Sequence, residues 1–426
     1  MPDPIPSFRH RPSSVLIIGG GVVGRATALT LQAAGHDVTL ADPEPEPAGA
    51  SFGNAGHIAV EQVAPLASYA TIRSMPARLF WRGGALGLPV REIATWLPFA
   101  GRLLAAAAPR RFAHGTRALA AMLAESMAAW RRLLDRADAR DMLREDGHFV
   151  VWERAASAAA GAARWAAGPT GTATVRPATA EERARLQALT TQRIAGAIRF
   201  EGSGQITDLP ALAQALGARF LALGGTIRPV RIARLAVADG RAVACLDTGE
   251  RLEAALVVVA AGVWSADLLR PLGHVVPIVA ERGYHIQSAA TAWPHDMPPV
   301  VFEDRAMIVT RFRSGLRAAS FVEFGRADSP PDRRKWARLR GHVARLGLSF
   351  GLPGTEWMGA RPTLPDYLPA IGRSGRAGNL VYAFGHQHLG LTLAATTAEA
   401  VAALVADTAP PYDLAPFDLG RFGGPA

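Results

Sequence analysis

Short runs of uninterrupted apolar residues, bounded by glycine or charge, alternate along this chain with stretches whose apolar positions recur every three or four residues. The first pattern predicts strands buried on both faces, the second amphipathic helices. Residues 15–18 form the first run, Val22 to about Ala34 the first helical stretch, ended by Gly35, and residues 38–42 a second strand. Leu119, Leu123, Met127, Trp130 and Leu134 mark a helix over 116–138. Residues 148–152 read as a strand, and the alanine-rich run to Ala167 as a helix. A strand at 196–200 and a turn at 202–208 lead to a helix over 209–222, capped by Asp208 or Thr207, with Pro210 near its first position. Strands follow near 226–230, 232–237, 242–246 and 251–259, and a helix starts over 263–267. Residues 277–324 alternate in short β-like runs, including 282–286 and 316–324, and 332–346 predict an exposed, arginine-rich helix containing Lys335. Residues 379–392 are strand, glycine turn and helix once more. In residues 60–111, Trp81, Trp96, Phe99 and Leu103 suggest short helices whose apolar face Arg91 and Arg102 interrupt. Core packing is the first reading of that region, and a patch dipping into a membrane surface the second.

The first strand, turn and helix carry Gly19, Gly21 and Gly24 in Gly-X-Gly-X-X-Gly spacing. The first glycine permits a tight turn, the second lets backbone approach a pyrophosphate, and the third lets the helix sit close to the strand. The helix opening at Val22 and Val23 aims its N–H groups and positive dipole end at that phosphate. Asp42, about twenty residues on, is placed to accept ribose hydroxyls, and Pro43 opens a stiff turn to Pro47. These signals agree on an α/β protein with a dinucleotide site.

At 426 residues the chain has room for two domains or for one large core with an insertion. Its 49% apolar and 19% charged content is that of a globular enzyme. The formal charge is +10, with Lys335 the only lysine. Arginine usage of this kind reflects coding bias as readily as a partner, leaving a modest attraction to anionic lipid or nucleic acid. With Cys245 as the only cysteine, there is no internal disulfide and no cysteine-based metal centre, and no metal site is expected. Pro2, Pro4 and Pro6 with scattered charge do not resemble a signal peptide, and there is no run of about eighteen uninterrupted apolar residues. The expectation is a soluble cytoplasmic protein, at most peripheral at the inner face of the plasma membrane.

A second small-residue loop, Gly49-Ala-Ser-Phe-Gly-Asn-Ala-Gly-His-Ile58, follows the second strand. Together with Gly-Gly-Gly-Val-Val-Gly at 19–24 it resembles the FAD-dependent D-amino-acid oxidase and dehydrogenase superfamily, most of all the bacterial D-amino-acid dehydrogenases. Ser51, Asn54, Ala55 and Gly56 match the family loop that runs under the pyrophosphate and over the isoalloxazine. The strand ending at Ala261 and Gly262, with Trp264 and Ser265 behind it, matches the family strand that returns to the nucleotide-binding sheet. Trp357 to Asp366, Pro369 to Gly372 and Asn379 to Thr392 resemble its terminal signature. That signature implies a second helix N-terminus at the flavin, contributed by Gly385, His386, His388, Leu389, Gly390, Leu391 and Thr392. The resemblance implies FAD, and a Rossmann-type, glutathione-reductase-like FAD-binding domain with an inserted mixed-β substrate domain. The expected division gives 1–60, 140–270 and 355–426 to FAD, and 61–139 and 271–354 to the substrate.

The resemblance also implies the chemistry. Arg361 matches the arginine that binds the substrate α-carboxylate, which its planar fork can hold bidentately. Tyr284 matches a pocket tyrosine able to add a hydrogen bond. His57 and His386 are expected as polar contacts near the ring, ahead of His285 and His388. Hydride would pass from Cα of a D-amino acid with a neutral amine to flavin N5, with no Asp or Glu as base. In the related sarcosine oxidases a lysine activates oxygen and a cysteine holds the flavin. Lys335, on its exposed-looking helix, and Cys245, in a distant strand, fit neither role, so a quinone or another carrier is expected as acceptor. The rivals are a dehydrogenase or oxidase of D-proline, hydroxyproline, glycine or sarcosine, and a flavin-carrying subunit of a larger complex. No basic domain or aromatic platform supports a nucleic-acid partner, and the oligomeric state is left open.

Overall fold

The computed structural model describes residues 14–44, 49–289, 291–351 and 353–423. Pro2, Pro4, Pro6 and the Pro45 to Pro47 part of the expected stiff turn lie outside the described residues. Two large sheets organise the molecule. The first has six strands in the order Thr226–Arg228, Asp37–Ala41, Ser14–Ile18, Leu256–Val259, Leu380–Phe384 and Ala370–Arg373. The first five run parallel and the last antiparallel. Leu256–Val259, with both neighbours parallel to it, is fully buried, as its unbroken apolar run requires. The helices Val22–Ala33, Leu209–Ala222 and Gly390–Ala406 pack together over one face. A three-stranded sheet, Ile232–Ala238, Arg241–Leu246 and Arg251–Leu252, contributes Leu235, Ala242 and Ala244 to a separate core on the same main sheet.

The second sheet runs Thr355–Thr363, Val279–Ser288, Gly315–Gly325, Met307–Phe312, Val300–Phe302, His148–Trp152, Gly196–Glu201 and Thr174–Pro177, with Leu86–Gly87 beside Gly315–Gly325. This redraws the expected domain division. Strands within 148–201, assigned above to the FAD side, pair into the mixed sheet, with His148–Trp152 parallel to Val300–Phe302. Residues 109–136, assigned to the substrate side, pack on Gly390–Ala406, where Trp130 Nε1 donates to the Leu391 carbonyl at 3.0 Å. The reason is that a strand apolar on both faces fits either sheet, so its hydropathy does not say which one it joins.

Smaller departures have local causes. The helix expected over 116–138 is two, Pro109–Ala124 and Ser126–Arg136, meeting at Glu125, where the Ser126 hydroxyl bonds back to the Met122 carbonyl. The strand expected over 251–259 is divided between two sheets, and Arg241 Nη2 holds the carbonyls of Ala254 and Ala255 at the crossing. Arg333–Leu346 is a helix as expected, but Lys335 on it is buried. Gln387–Ala406 is long and apolar enough to cross a membrane. Most of it is buried inside the molecule, and it is a core helix of this fold.

Trp130 is 0% exposed and joins this helix layer by packing and by its indole hydrogen bond. Trp130→Ala is expected to cost about 3–5 kcal/mol of unfolding free energy, read as a lower urea midpoint. An unchanged midpoint would contradict the packing described.

Candidate functional site

The ends of the central strands and the starts of two helices open on one cavity of about 1410 Å³, beyond the roughly 300–1,000 Å³ of ordinary small-ligand sites. Gly19, Gly21, Val22, Val23, Asp42 and Pro43 line it from the first motif, and Ser51, Asn54, Ala55 and His57 from the second loop. Ala261, Gly262 and Trp264 follow, then Gly385, His386, His388, Gly390 and Leu391, with Tyr284 and Arg361 from the second sheet. Of the other expected cofactor residues, Gly24 has the expected packing role between helix and strand, and Gly56, Leu389 and Thr392 are not among the lining residues. A Cβ on Gly24 would overlap the Gly19 carbonyl oxygen, so Gly24 sets the contact between helix and strand. Gly56 lies against the Phe312 ring, Leu389 is buried in the helix core, and Thr392 Oγ1 accepts from Ala59 N at 3.0 Å.

The first turn keeps its own amides partly engaged. Gly20 N donates to Asp42 Oδ2 at 2.5 Å and Val22 N to the Ser51 hydroxyl at 3.0 Å. Asp42 therefore supports the turn, and its remaining lone pairs are what is left for ribose hydroxyls. The second loop is tightened by Gly56 N donating to Asn54 Oδ1 at 2.8 Å. Arg317, which the sequence reading missed, holds it from the second sheet by donating to the carbonyls of Phe52 and Asn54. Burial lowers the Arg317 pKa to about 10. His285 bonds through Nδ1 to the Gly53 carbonyl at 3.0 Å and stacks on Trp357, with centroids 4.9 Å apart. No local motif announced this role of Arg317, because the loop carbonyls it holds precede it by more than 260 residues.

Arg361 stands on the Thr355–Thr363 strand opposite Glu281 on Val279–Ser288. Its Nη1 donates to Glu281 Oε1 and to the Phe321 carbonyl, both at 3.2 Å. Among the described residues its Nε and Nη2 have no partner. The guanidinium lies over Gly283, where any side chain would collide with it. Glu281 also accepts from Thr363 Oγ1 and from the Tyr367 hydroxyl, each at 3.1 Å, which holds the carboxylate in place.

Tyr284 lines the cavity, but its hydroxyl faces a different partner from the expected one. It donates to Glu323 Oε1 at 2.8 Å and accepts from Asp332 N at 3.1 Å, so both capacities are used inside the protein. Glu323 also takes Lys335 Nζ and Arg282. Lys335 is thus sequestered rather than exposed, and it does not line the cavity. Cys245 is buried in the small three-stranded sheet, away from the lining residues.

His57 and His386 both reach the cavity, His57 with both ring nitrogens engaged and His386 with its Nε2 engaged. His57 contacts the Gly204 carbonyl at 3.2 Å through Nδ1 and Glu61 Oε1 at 3.1 Å through Nε2. His386 Nε2 pairs with the Thr397 hydroxyl at 2.9 Å, and burial lowers its pKa to about 3. His388 Nε2 meets Gln62 Oε1 at 2.5 Å, and burial lowers it to about 4.

The cavity's glycine-lined turn, two helix starts and acidic strand end fit an extended dinucleotide, with Arg361 remaining for a small anion. The comparisons with known proteins agree. The DAO family model, FAD dependent oxidoreductase, matches residues 14–404, and the chain belongs to that family of FAD-using oxidoreductases. It is 30% identical to the D-amino-acid oxidase of Bradyrhizobium diazoefficiens, over 98% of this chain and 100% of that one. It is 31% identical to D-amino acid dehydrogenase 2 of Ralstonia nicotianae, over 96% of this chain and 100% of the relative. The glycine oxidase of Geobacillus kaustophilus shares the fold, with a TM-score of 0.72 at 21% identity over 97% of this chain and 100% of that one.

Two measurements test the site's construction. Gly24→Ala forces the helix off the strand at a cost of about 1–3 kcal/mol, and the variant is expected to purify without yellow colour. Full FAD retention would contradict the packing. The second is acid stability. Burial lowers His148, His285 and His386 to about 3 from the ordinary 6.5, so the unfolded chain takes up these protons first as pH falls. Stability is therefore full above about pH 6.5 and declines below it, by about 2 kcal/mol per histidine at about pH 5. Together these losses are comparable with the whole stability of a typical domain. Acid unfolding followed by circular dichroism is expected to centre near pH 5, and a fold unchanged at about pH 4 would refute the burial assignment.

Proposed function

We propose that this protein oxidises D-amino acids at the bond between Cα and nitrogen, yielding an imino acid that hydrolyses to the keto acid. The observation that carries this reading is Arg361, a guanidinium in the cavity with Glu281 on one nitrogen and two others unpartnered. A substrate carboxylate on that free edge would fix Cα by a charge-assisted bidentate pair. Bound FAD supplies the hydride acceptor. The protein's own work is positioning. Glu281 and the Phe321 carbonyl hold Arg361, and Leu66, Met75, Leu86, Phe321 and Phe324 give the cavity an apolar wall. That wall favours apolar side chains over glycine or sarcosine, which have none to bury, and it also admits D-proline. Glu281 is engaged by Arg361, Thr363 and Tyr367, so the amine must arrive neutral rather than lose its proton to that carboxylate.

The acceptor in this reading is a quinone or another carrier. The support is that the single lysine is held by Glu323 and Asp332 and does not line the cavity. A lipid-soluble quinone would bring the protein to the inner face of the plasma membrane. Ile93, Leu97 and Leu104 are exposed along one face of Ile93–Ala106, with Val90 and Trp81 exposed just before it. Arg82, Arg91 and Arg102 flank them in the chain and are exposed, a composition suited to an anionic lipid surface.

Anaerobic mixing with a panel of D-, L- and N-methyl amino acids tests the substrate. Apolar D-amino acids are expected to bleach the yellow colour and their L-enantiomers to leave it. Bleaching by glycine or sarcosine alone would replace this reading. Arg361→Ala is expected to lower kcat/KM by about a hundredfold, about 3 kcal/mol, with FAD retained. Turnover should be faster with a quinone or dye than with oxygen, and rapid peroxide formation would overturn the acceptor. Co-sedimentation with anionic vesicles should fall in a Leu97→Asn, Leu104→Asn double variant, and equal binding of both proteins would remove the membrane face.

A further inference from the structure

His57, Glu61 and His148 meet at the cavity wall in an arrangement that neither the fold nor the proposed oxidation requires. One ligand-capable atom from each lies within 4.8 Å of the others. His57 Nε2 is 3.1 Å and His148 Nε2 3.9 Å from Glu61 Oε1. Four-coordinate ligands at about 2.0–2.2 Å from a cation stand about 3.4 Å apart, so the first pair would open by about 0.3 Å and the second close by about 0.5 Å.

Two further features point the same way. Both rings are held from behind, His57 through Nδ1 by the Gly204 carbonyl at 3.2 Å and His148 through Nδ1 by the Ser203 hydroxyl at 3.0 Å. Each Nε2 is thereby turned toward the shared point, as outer-shell partners turn the histidines of metal centres. Glu61 is 2% exposed, and its second carboxylate oxygen, Oε2, is buried with no hydrogen-bond partner among the described residues, a costly condition that a bound cation would relieve.

We propose that His57 Nε2, His148 Nε2 and Glu61 bind one divalent first-row transition-metal cation. Two imidazoles and one carboxylate suit Zn²⁺, Co²⁺ or Fe²⁺ over Mg²⁺ or Ca²⁺. Because all three residues line the cavity, the remaining coordination positions face it. The sequence hides the set: two ligands lie four residues apart, and the third arrives on another strand about ninety residues later.

The test uses the FAD-loaded enzyme, stripped with a chelator and then equilibrated with Zn²⁺ or with Co²⁺. Metal per chain is measured after gel filtration. Wild type is expected to keep one cation per chain, and Co²⁺ to give visible d–d bands to the red of the flavin absorption. Glu61→Gln and His148→Asn should abolish retention, and Ser203→Ala, which removes only the support behind His148, should weaken it about tenfold. Retention of the yellow cofactor certifies each variant as folded, and the cobalt bands need no variant. No metal in wild type, equal retention in the folded variants, or cobalt without d–d bands would each overturn the proposal. The readout is metal rather than turnover, so its failure leaves the amino-acid reading intact.

Discussion

The closest approach in the molecule that matters for the site is that of the Val22–Ala33 helix to the Ser14–Ile18 strand. Gly24 stands where a Cβ would overlap the Gly19 carbonyl, and Gly19, at φ +113°, leaves a Cβ no more than 2.5 Å from the Ala260 carbonyl. Strand, helix and the neighbouring Leu256–Val259 strand are thus pressed together at one corner. Everything else follows the corner. Asp42 closes on the turn from the second strand, Ser51 reaches it from the second loop, and Ala261 and Gly262 continue past it. A larger residue at either glycine would not only crowd the cavity but separate the elements that form it.

The substrate side rests on a different constraint, the pairing of Thr355–Thr363 with Val279–Ser288. Register puts Arg361 opposite Glu281 and Gly359 opposite Gly283. Gly283 leaves the space that the guanidinium occupies over the strand, and Gly359 leaves space for the Trp357 ring. A one-residue slip would turn Arg361 to the other face of the sheet. Glu281 is 1% exposed and has three donors. An unpaired carboxylate there would carry a large desolvation cost, so Arg361 and Glu281 are better regarded as one unit than as a ligand with a helper.

How much of this was legible in the sequence depends on distance along the chain. The first motif, the second loop and the strand-turn-helix near Gly385 are local patterns, and each was placed correctly at the cavity. Arg361 was legible through its neighbours in the terminal signature. Gly24 has the helix-to-strand packing role its place in the motif predicts, while Gly56, Leu389 and Thr392, read as cofactor contacts because they belong to those motifs, are not among the residues lining the cavity. Tyr284 lines the cavity as expected, but the partner of its hydroxyl was not legible, for a reason of periodicity. A tyrosine on a strand buried on both faces gives no sign of which buried acid will claim its hydroxyl, and Glu323 lies on the neighbouring strand. The division between the two sheets failed on the same ground, since His148–Trp152 carries five buried residues and no turn that commits it to either.

Lys335 shows how far such an error can travel. An arginine-rich helix with one lysine suggested a solvated side chain, and exposure was the reason for excluding it from oxygen chemistry. In the structure it is 1% exposed, bonded to Glu323 and 3.2 Å from Asp332, within a network that includes Glu92 and Arg282. The proposed acceptor therefore rests on different physics from exposure. Moving the ammonium to the cavity would leave Glu323 with Arg282 and the Tyr284 hydroxyl alone and would strip an acceptor from a buried cation, and breaking a buried pair of this kind costs about 3–5 kcal/mol. The same network ties the Arg333–Leu346 helix to the back of the substrate sheet through Tyr284 and Asp332. A lysine in that position stabilises the wall on which the substrate would lie, and that structural duty is incompatible with a mobile role beside the cofactor.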